Sequence, residues 1–181
     1  MIYLKRGLNK VNQTSSQLLK IAQEIKLLVL DVDGVLTTGD LWFTAQGEEM
    51  KVFNAQDGLG MNALLHNGIE VAIISGRKTQ IVSKRMEELG VKYVYQGIVD
   101  KLPILSELVN QLNLSYAQVA YVGDDVPDIA PLKAVGLAVT VPNATHKVLN
   151  LPCIKLITKS CGGKGAVREV CDLLLERTFY V

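Results

Sequence analysis

Leu27-Leu28-Val29-Leu30-Asp31-Val32-Asp33-Gly34-Val35-Leu36-Thr37 is an apolar run that ends in two carboxylates separated by a single valine. A continuous hydrophobic segment of this kind predicts a strand buried on both faces. Asp31 and Asp33 then emerge at its carboxyl end, where open α/β sheets place their sites. Side chains two apart on a strand point to the same side. Like charges held that close repel each other unless a cation sits between them or one stays protonated. The pair therefore points to a divalent metal, an acid/base carboxyl, or both. Asp-x-Asp-Gly is also a common turn, so the rest of the chain has to decide between the two readings.

Composition narrows the choice. With 181 residues, 49% of them hydrophobic, the chain suffices for one domain, residues 1–181, with a substantial core. Nineteen basic and eighteen acidic residues leave a formal charge of +1, which gives no reason to expect nucleic acid or an acidic membrane surface as partner. Cys153, Cys161 and Cys171 are odd in number and lack the C-x-x-C spacing of a zinc or thioredoxin-type site. Reduced thiols in the cytoplasm account for them. The first ten residues are too polar beyond Leu4 for a signal-peptide core, and no apolar run is long enough to span a bilayer, so a cytoplasmic protein is expected.

Outward from the opening strand, Thr14-Ser15-Ser16-Gln17 resembles a capping box that starts a helix with Leu18, Leu19, Ala22 and Ile25 on one face. After the strand, 41–44 and 50–53 flank Ala45-Gln46-Gly47-Glu48 and predict a β-hairpin. A helix from about Gln56 closes at Asn67-Gly68. Beyond it the pattern alternates, with strands over 70–74, 92–95, 119–122, 136–140 and, at an edge, 154–157. Helices fall over 79–89, 102–112, a short segment opened by Pro127, and 166–177. Such alternation predicts a three-layer, Rossmann-like α/β fold: a mostly parallel central sheet, helices on both faces and a projecting β-hairpin.

Three further strand ends carry polar signals. Ser75-Gly76-Arg77 leaves a strand into a glycine-containing loop, offering a hydroxyl and backbone N–H groups to an oxyanion such as phosphate. The Arg77 guanidinium also suits a substrate carboxylate or hydroxyls, because it forks onto planar anions. Lys101 stands at a helix start, where a lone lysine is ordinarily a solvated surface residue. Gly123-Asp124-Asp125-Val126-Pro127-Asp128 gathers three carboxylates at another strand end. One of Asp124 and Asp125 is expected to cap the helix begun by Pro127 while another binds metal. Hard oxygen ligands without histidines nearby suit Mg²⁺ rather than zinc.

The order of these signals is more specific than any one of them, and it resembles the haloacid dehalogenase superfamily of phosphohydrolases, with matching motifs from Asp31 to Asp128. Gly47-Glu48-Glu49, Phe53-Asn54, Asp57-Gly58, Tyr95-Gln96-Gly97 and the run from Gly162 to Asp172 extend the likeness to nearly the whole chain after residue 24. They are similar to the capless members that act on phosphorylated eight-carbon keto-sugar acids of lipopolysaccharide precursor synthesis. The resemblance implies Asp31 as nucleophile, forming an aspartyl-phosphate, and Asp33 as general acid and then base. It implies Mg²⁺ held by the Asp31 carboxylate, the Asp33 backbone carbonyl and Asp124, with Asp125 and Asp128 orienting metal-bound water. Ser75, Gly76 and Lys101 would bind phosphoryl oxygens, and Arg77 and Asn54 the substrate.

Segments 34–70 and 75–124 leave no room for a cap domain of roughly 50 residues. A neighbouring subunit is the expected cover, and the resemblance implies a homotetramer. The hairpin bearing Trp42 and Phe43 is expected to pack on neighbouring chains, the alternative being that it folds onto its own core. Gly162-Gly163-Lys164-Gly165 lacks the P-loop pattern. It suggests a tail that carries Lys164 and Arg168 toward a neighbour's substrate; the plainer reading leaves Arg168 on a solvent face. His66 and His146 receive no catalytic role, and Met50, Met61 and Met86 read as core or interface.

Three other functions share parts of this pattern: a phosphatase for nine-carbon, sialic-acid-like sugar phosphates, a phospho-accepting receiver module, and a non-catalytic, oligomer-building homologue. In a receiver the acidic pair precedes the acceptor aspartate, and a companion such as Asp33 is not needed. Intact Asp31, Asp33, Lys101 and Asp124 argue against the non-catalytic form.

Overall fold

The computed structural model describes residues 16–47 and 49–176. Its sheet runs, edge to edge, through β5 (Tyr93–Gln96), β4 (Glu70–Ser75), β1 (Leu27–Leu30), β6 (Val119–Val122), β7 (Leu137–Thr140) and β8 (Leu156–Ile157). Every neighbouring pair is parallel. The apolar run of the opening stretch is β1, buried along its full length at the middle of the sheet. Strands with both faces covered need unbroken hydrophobic sequence, and β6 and β7 show the same fully buried pattern.

Residues 16–24 form helix α1, the described part of the helix expected from Thr14; Thr14 itself lies outside the described residues. α2 (Ala55–His66) and α3 (Gln80–Glu88) carry the chain from β1 to β4 and from β4 to β5. α4 (Lys101–Gln111) and α5 (Ile129–Ala134) flank β6, and the short α6 (His146–Leu149) and the last helix, α7 (Ala166–Leu175), follow β7 and β8. The β1–β4 and β5–β6 connections run in opposite directions across the sheet. Right-handed crossovers then place α2 on one face and α4 on the other. α7 packs against α2, and α5 against α4, which completes three layers.

Local chemistry sets most boundaries. Asn54 caps α2 by accepting from the Gln56 N–H at 2.8 Å, and Thr79 caps α3 by accepting from Ile81 at 3.0 Å. α4 begins one residue earlier than expected because Asp100 is its cap. β5 is displaced one residue along, β7 starts at Leu137, and β8 pairs only through Leu156 and Ile157. The hairpin is likewise short: β2 (Trp42–Phe43) and β3 (Glu49–Met50) pair antiparallel at two positions. Asp57 is buried, and its Oδ1 accepts from the Arg168 N–H at 2.8 Å, so the acidic group of Asp57-Gly58 ties α2 to the first turn of α7.

Strand order fixes where a ligand can enter. The chain moves from β1 outward through β4 and β5, then returns to the other side of β1 with β6. The two directions diverge at β1, and the crevice beyond the carboxyl ends of β4, β1 and β6 is the topological switch point. Ser75, Asp31 and Asp124 sit at those ends. Between β1 and α2 the described residues form only loops and the hairpin, so no cap domain stands over the crevice.

Candidate active site

A cavity of about 340 Å³ opens at the switch point, and Asp31, Asp33, Ser75, Gly76, Arg77, Lys101, Asp124 and Asp125 line it. Residues far apart in sequence are brought together because each ends a neighbouring strand or starts the helix beyond one. Asp31 is 8% exposed, and its Oδ1 accepts from the Val32 N–H at 2.6 Å. Its Oδ2 lies 2.9 Å from Lys101 Nζ. Ser75 is buried at the end of β4.

Lys101 is not the solvated lysine that its position at a helix start suggests. It is 2% exposed, and its ammonium also meets Asp128 Oδ1 at 2.8 Å. Asp128, fully buried, accepts from Tyr121 Oη at 2.7 Å and from the backbone N–H groups of Asp124 and Asp125 at 3.1 and 3.2 Å. Its oxygens are thus engaged by the protein, and they hold Lys101 and the 124–125 turn in place. Asp125 accepts from Val126 N–H and caps the 3₁₀ turn at Pro127, so of the two candidate caps it is Asp125 that fills the role.

Asp124 differs from both. Its Oδ1 is buried, with no hydrogen-bond partner among the described residues. Burial, then the charges of Asp31, Asp128 and Asp125, push its carboxyl up to about 8, against the weaker pull of Lys101. Burial and Asp128 likewise push Asp31 up to about 7, although Lys101 and the Val32 N–H oppose them. Oxygens of Asp31, Asp124 and Asp128 lie within 4.8 Å of one another, and one lysine faces them all. The unpartnered Asp124 oxygen and the uncompensated charge fit a hard divalent cation between Asp31 and Asp124. Gly34 makes room for this arrangement: it has φ of +89°, and a Cβ there would lie 2.1 Å from Asp124 Oδ2.

Comparison with known proteins agrees with this geometry. Residues 93–161 match the model of the haloacid dehalogenase-like hydrolases. The 3-deoxy-D-manno-octulosonate 8-phosphate phosphatase of Escherichia coli K12 is 47% identical over 161 residues, covering 89% of this chain and 85% of the relative. The chain belongs to this phosphatase family. The family's Moraxella catarrhalis phosphatase, solved in complex with magnesium ion, phosphate ion and KDO, superposes with a TM-score of 0.85 at 40% identity, covering 89% of this chain and 91% of that one. A cobalt-bound form of the Haemophilus influenzae phosphatase superposes with a TM-score of 0.83 at 36% identity, covering 88% and 92%.

Asn54, implied by the resemblance, and Lys164 and Arg168, expected to reach a neighbouring chain's substrate, do not line this chain's cavity. Asn54 is occupied as the α2 cap. Lys164 lines a smaller recess of about 150 Å³ with Thr37, Thr38 and Trp42. Arg168 pairs with Asp172 at 2.7 Å on the half-exposed side of α7. The turn before α7 is nonetheless seated beside the site, since a Cβ on Gly162 would fall 1.8 Å from the Gly34 carbonyl oxygen and Asn143 donates to that same oxygen at 2.9 Å. Conversely, the sequence reading passed over Lys51 and left Glu49 without a site role. Lys51 follows β3, its side chain is 1% exposed, and its ammonium contacts Asp33 Oδ1 and, at 2.9 Å, Glu49 Oε1. Arg77 completes the group, 3.3 Å from Glu49 Oε2 and 3.9 Å from Asp33 Oδ2. Burial raises the Glu49 carboxyl, but Lys51 and Arg77 outweigh it and hold the group below its ordinary value. The only sequence signal for Lys51 was a lysine inside an otherwise apolar hairpin strand.

Proposed function

We propose that this chain is a cytoplasmic, Mg²⁺-dependent phosphatase in lipopolysaccharide precursor synthesis, acting as a single domain. It hydrolyses 3-deoxy-D-manno-octulosonate 8-phosphate to the free sugar acid and phosphate through an aspartyl-phosphate. The observation that carries this reading is the division of labour between the two carboxylates of the opening stretch. Asp31 is drawn inward to Lys101 and the Asp124 cluster, whereas Asp33 is drawn outward to Lys51 at the mouth.

In this mechanism an Asp31 oxygen attacks phosphorus as the ester P–O bond breaks. Asp33 delivers a proton to the departing sugar oxygen. It then takes one from the water that attacks the acyl phosphate, regenerating free Asp31 and releasing phosphate. Lys101 holds the nucleophile in line and, with the Ser75 hydroxyl and the Gly76 N–H, meets charge developing on the phosphoryl oxygens. Mg²⁺, held by the Asp31 and Asp124 carboxylates and the Asp33 carbonyl, supplies Lewis-acid charge that lets an anionic nucleophile approach an anionic phosphate. Asp128 fixes Lys101, and Asp125 fixes the turn that presents Asp124. Arg77, half-exposed at the rim and paired there with Glu49, can extend its remaining guanidinium N–H groups to the substrate carboxylate or hydroxyls.

A panel of sugar phosphates assayed for phosphate release is expected to favour the eight-carbon acid, with release lost on chelation and restored by Mg²⁺. Faster turnover of a nine-carbon acid phosphate would reassign the substrate, and release indifferent to chelator would remove the cation from the scheme.

The site needs a cover, and we propose that neighbouring subunits supply it in a homotetramer. Leu41, Trp42, Phe43, Met50 and Val52 are 45–73% exposed on and beside the hairpin, so it does not fold onto its own core. A short ribbon presenting that much apolar surface gains stability by packing on another copy. Light scattering is expected to give four times the chain mass, and a monomer mass would end this part of the reading.

A further inference from the structure

We propose that Lys51 is the positioning residue for the general acid/base Asp33, fixing which carboxylate oxygen carries the catalytic proton. The inference rests on the phosphatase reading above and deepens it. A lysine is seldom buried unless opposite charge compensates it, and the Lys51 side chain is 1% exposed. Its compensation is specific: Asp33 Oδ1 on one side and Glu49 Oε1, at 2.9 Å, on the other. Arg77 closes the ring through Glu49 Oε2 at 3.3 Å. Two cations and two carboxyl groups therefore meet at the foot of the hairpin, and the ring fastens that hairpin to the mouth of the site.

The asymmetry at Asp33 gives the ring its chemical meaning. Oδ1 is taken by the buried ammonium, whereas Oδ2 has Arg77 Nε at 3.9 Å, beyond hydrogen-bond reach. Oδ2 is thus the oxygen that holds and transfers the proton. When the ester bond breaks, that proton passes to the sugar oxygen, the bond's electron pair leaves with the same oxygen, and Asp33 becomes a carboxylate whose charge Lys51 receives. In the second step the same oxygen takes a proton from water. Lys51 also keeps the Asp33 side chain from swinging inward toward the Asp31–Asp124 cluster, where a cation would compete for it.

A positioning role can be separated from a structural one by leaving-group chemistry, with Lys51→Met and Lys51→Arg compared in Mg²⁺-loaded full-length protein. An alkyl phosphate such as the sugar ester needs its leaving oxygen protonated, whereas p-nitrophenyl phosphate releases a stable phenolate without help. kcat/KM reports only steps through phosphoryl transfer to Asp31, so the later base role does not enter. Lys51→Met is expected to lower kcat/KM for the alkyl ester by about 10- to 100-fold, a part of the roughly 10²- to 10⁴-fold that general acid catalysis supplies, because Asp33 itself remains. It should leave the aryl ester within about 2-fold, and Lys51→Arg should recover most of the loss, since guanidinium keeps the charge. An equal fall for both esters would show that the hairpin or Asp31 had moved, and no fall for either would show that Asp33 needs no anchor; each result overturns the role. If another alkyl phosphate proves the better substrate, the comparison is made on it and the inference stands apart from the sugar assignment. Failure of the wild-type chain to release phosphate from any ester overturns the phosphatase reading, and this role with it.

Discussion

Asp31→Asn is expected to reduce steady-state phosphate release by about 10⁴-fold or more while leaving the fold intact, since removing a covalent nucleophile abolishes the step that all others serve. The amide keeps the shape of the carboxylate and can still accept from the Val32 N–H. It removes a charge that burial and Asp128 already disfavour, and Lys101 retains Asp128 as partner. The thermal midpoint should therefore fall little or rise, which separates loss of chemistry from loss of structure. Phosphate release measured beside a thermal melt reads both. Retained turnover would exclude Asp31 as nucleophile. The same assay on the wild-type chain sorts the competing functions, because a receiver module takes up phosphate at its aspartate without sustained turnover, and a non-catalytic homologue does neither.

The fold was legible because its strongest signals are local. An unbroken apolar strand, a glycine turn and alternation of strand with helix are properties of a few adjacent residues, and parallel α/β sheets amplify them. Asp31, Ser75 and Asp124 were legible for the same reason, each standing at the end of a strand that could be read by itself. Lys101 was harder. Nothing near it in sequence signals burial, and the carboxylates that bury it, Asp31 and Asp128, arrive only when β1 and β6 pair. Asp124, Asp125 and Asp128 were visible as a cluster in which one carboxylate caps and another binds metal, but spacing alone did not say which. Their roles depend on which oxygen is left without a donor, and only packed coordinates show that. Lys51 was hidden most completely, since its meaning lies in a contact between hairpin and strand end that neither segment encodes alone. The position implied for Asn54 rested on resemblance, whereas Lys164 and Arg168 were read from a flexible, charged loop reaching toward a neighbouring chain; within this chain those side chains cap a helix, line a side recess and pair along α7.

Lys101→Met is expected to cost both activity and stability, and the two losses should respond differently to pH. Activity should fall by about 10²- to 10³-fold at every pH where the enzyme works, the usual scale for losing a charged group that meets developing negative charge. Stability depends on the partners left behind. Asp128 is wholly buried and would keep only Tyr121 Oη and two backbone N–H groups. Breaking a buried ion pair from one side costs about 3–5 kcal/mol when the remaining charge persists. Asp31, the other partner left behind, adds a pH dependence. Asp31, pushed up to about 7 from an ordinary 3.8 even with Lys101 present, binds a proton in the folded state that the unfolded chain has released. Folding stability of the metal-free protein therefore declines as pH rises from about 4 toward 7. Without Lys101 the opposing pull on Asp31 is gone, so that carboxyl stays protonated to higher pH and the decline runs further. Burial lowers the Lys101 value, but Asp31 and Asp128 outweigh it and raise the group above its ordinary 10.5. Its own contribution is thus constant below that pH and cannot produce the trend. Urea melts of metal-free wild type and variant should show a gap that is present at pH 5 and grows up to pH 8. An equal gap at both would mean that Lys101 stabilises through its buried methylenes, and that the acidic cluster tolerates its own charge without the ammonium.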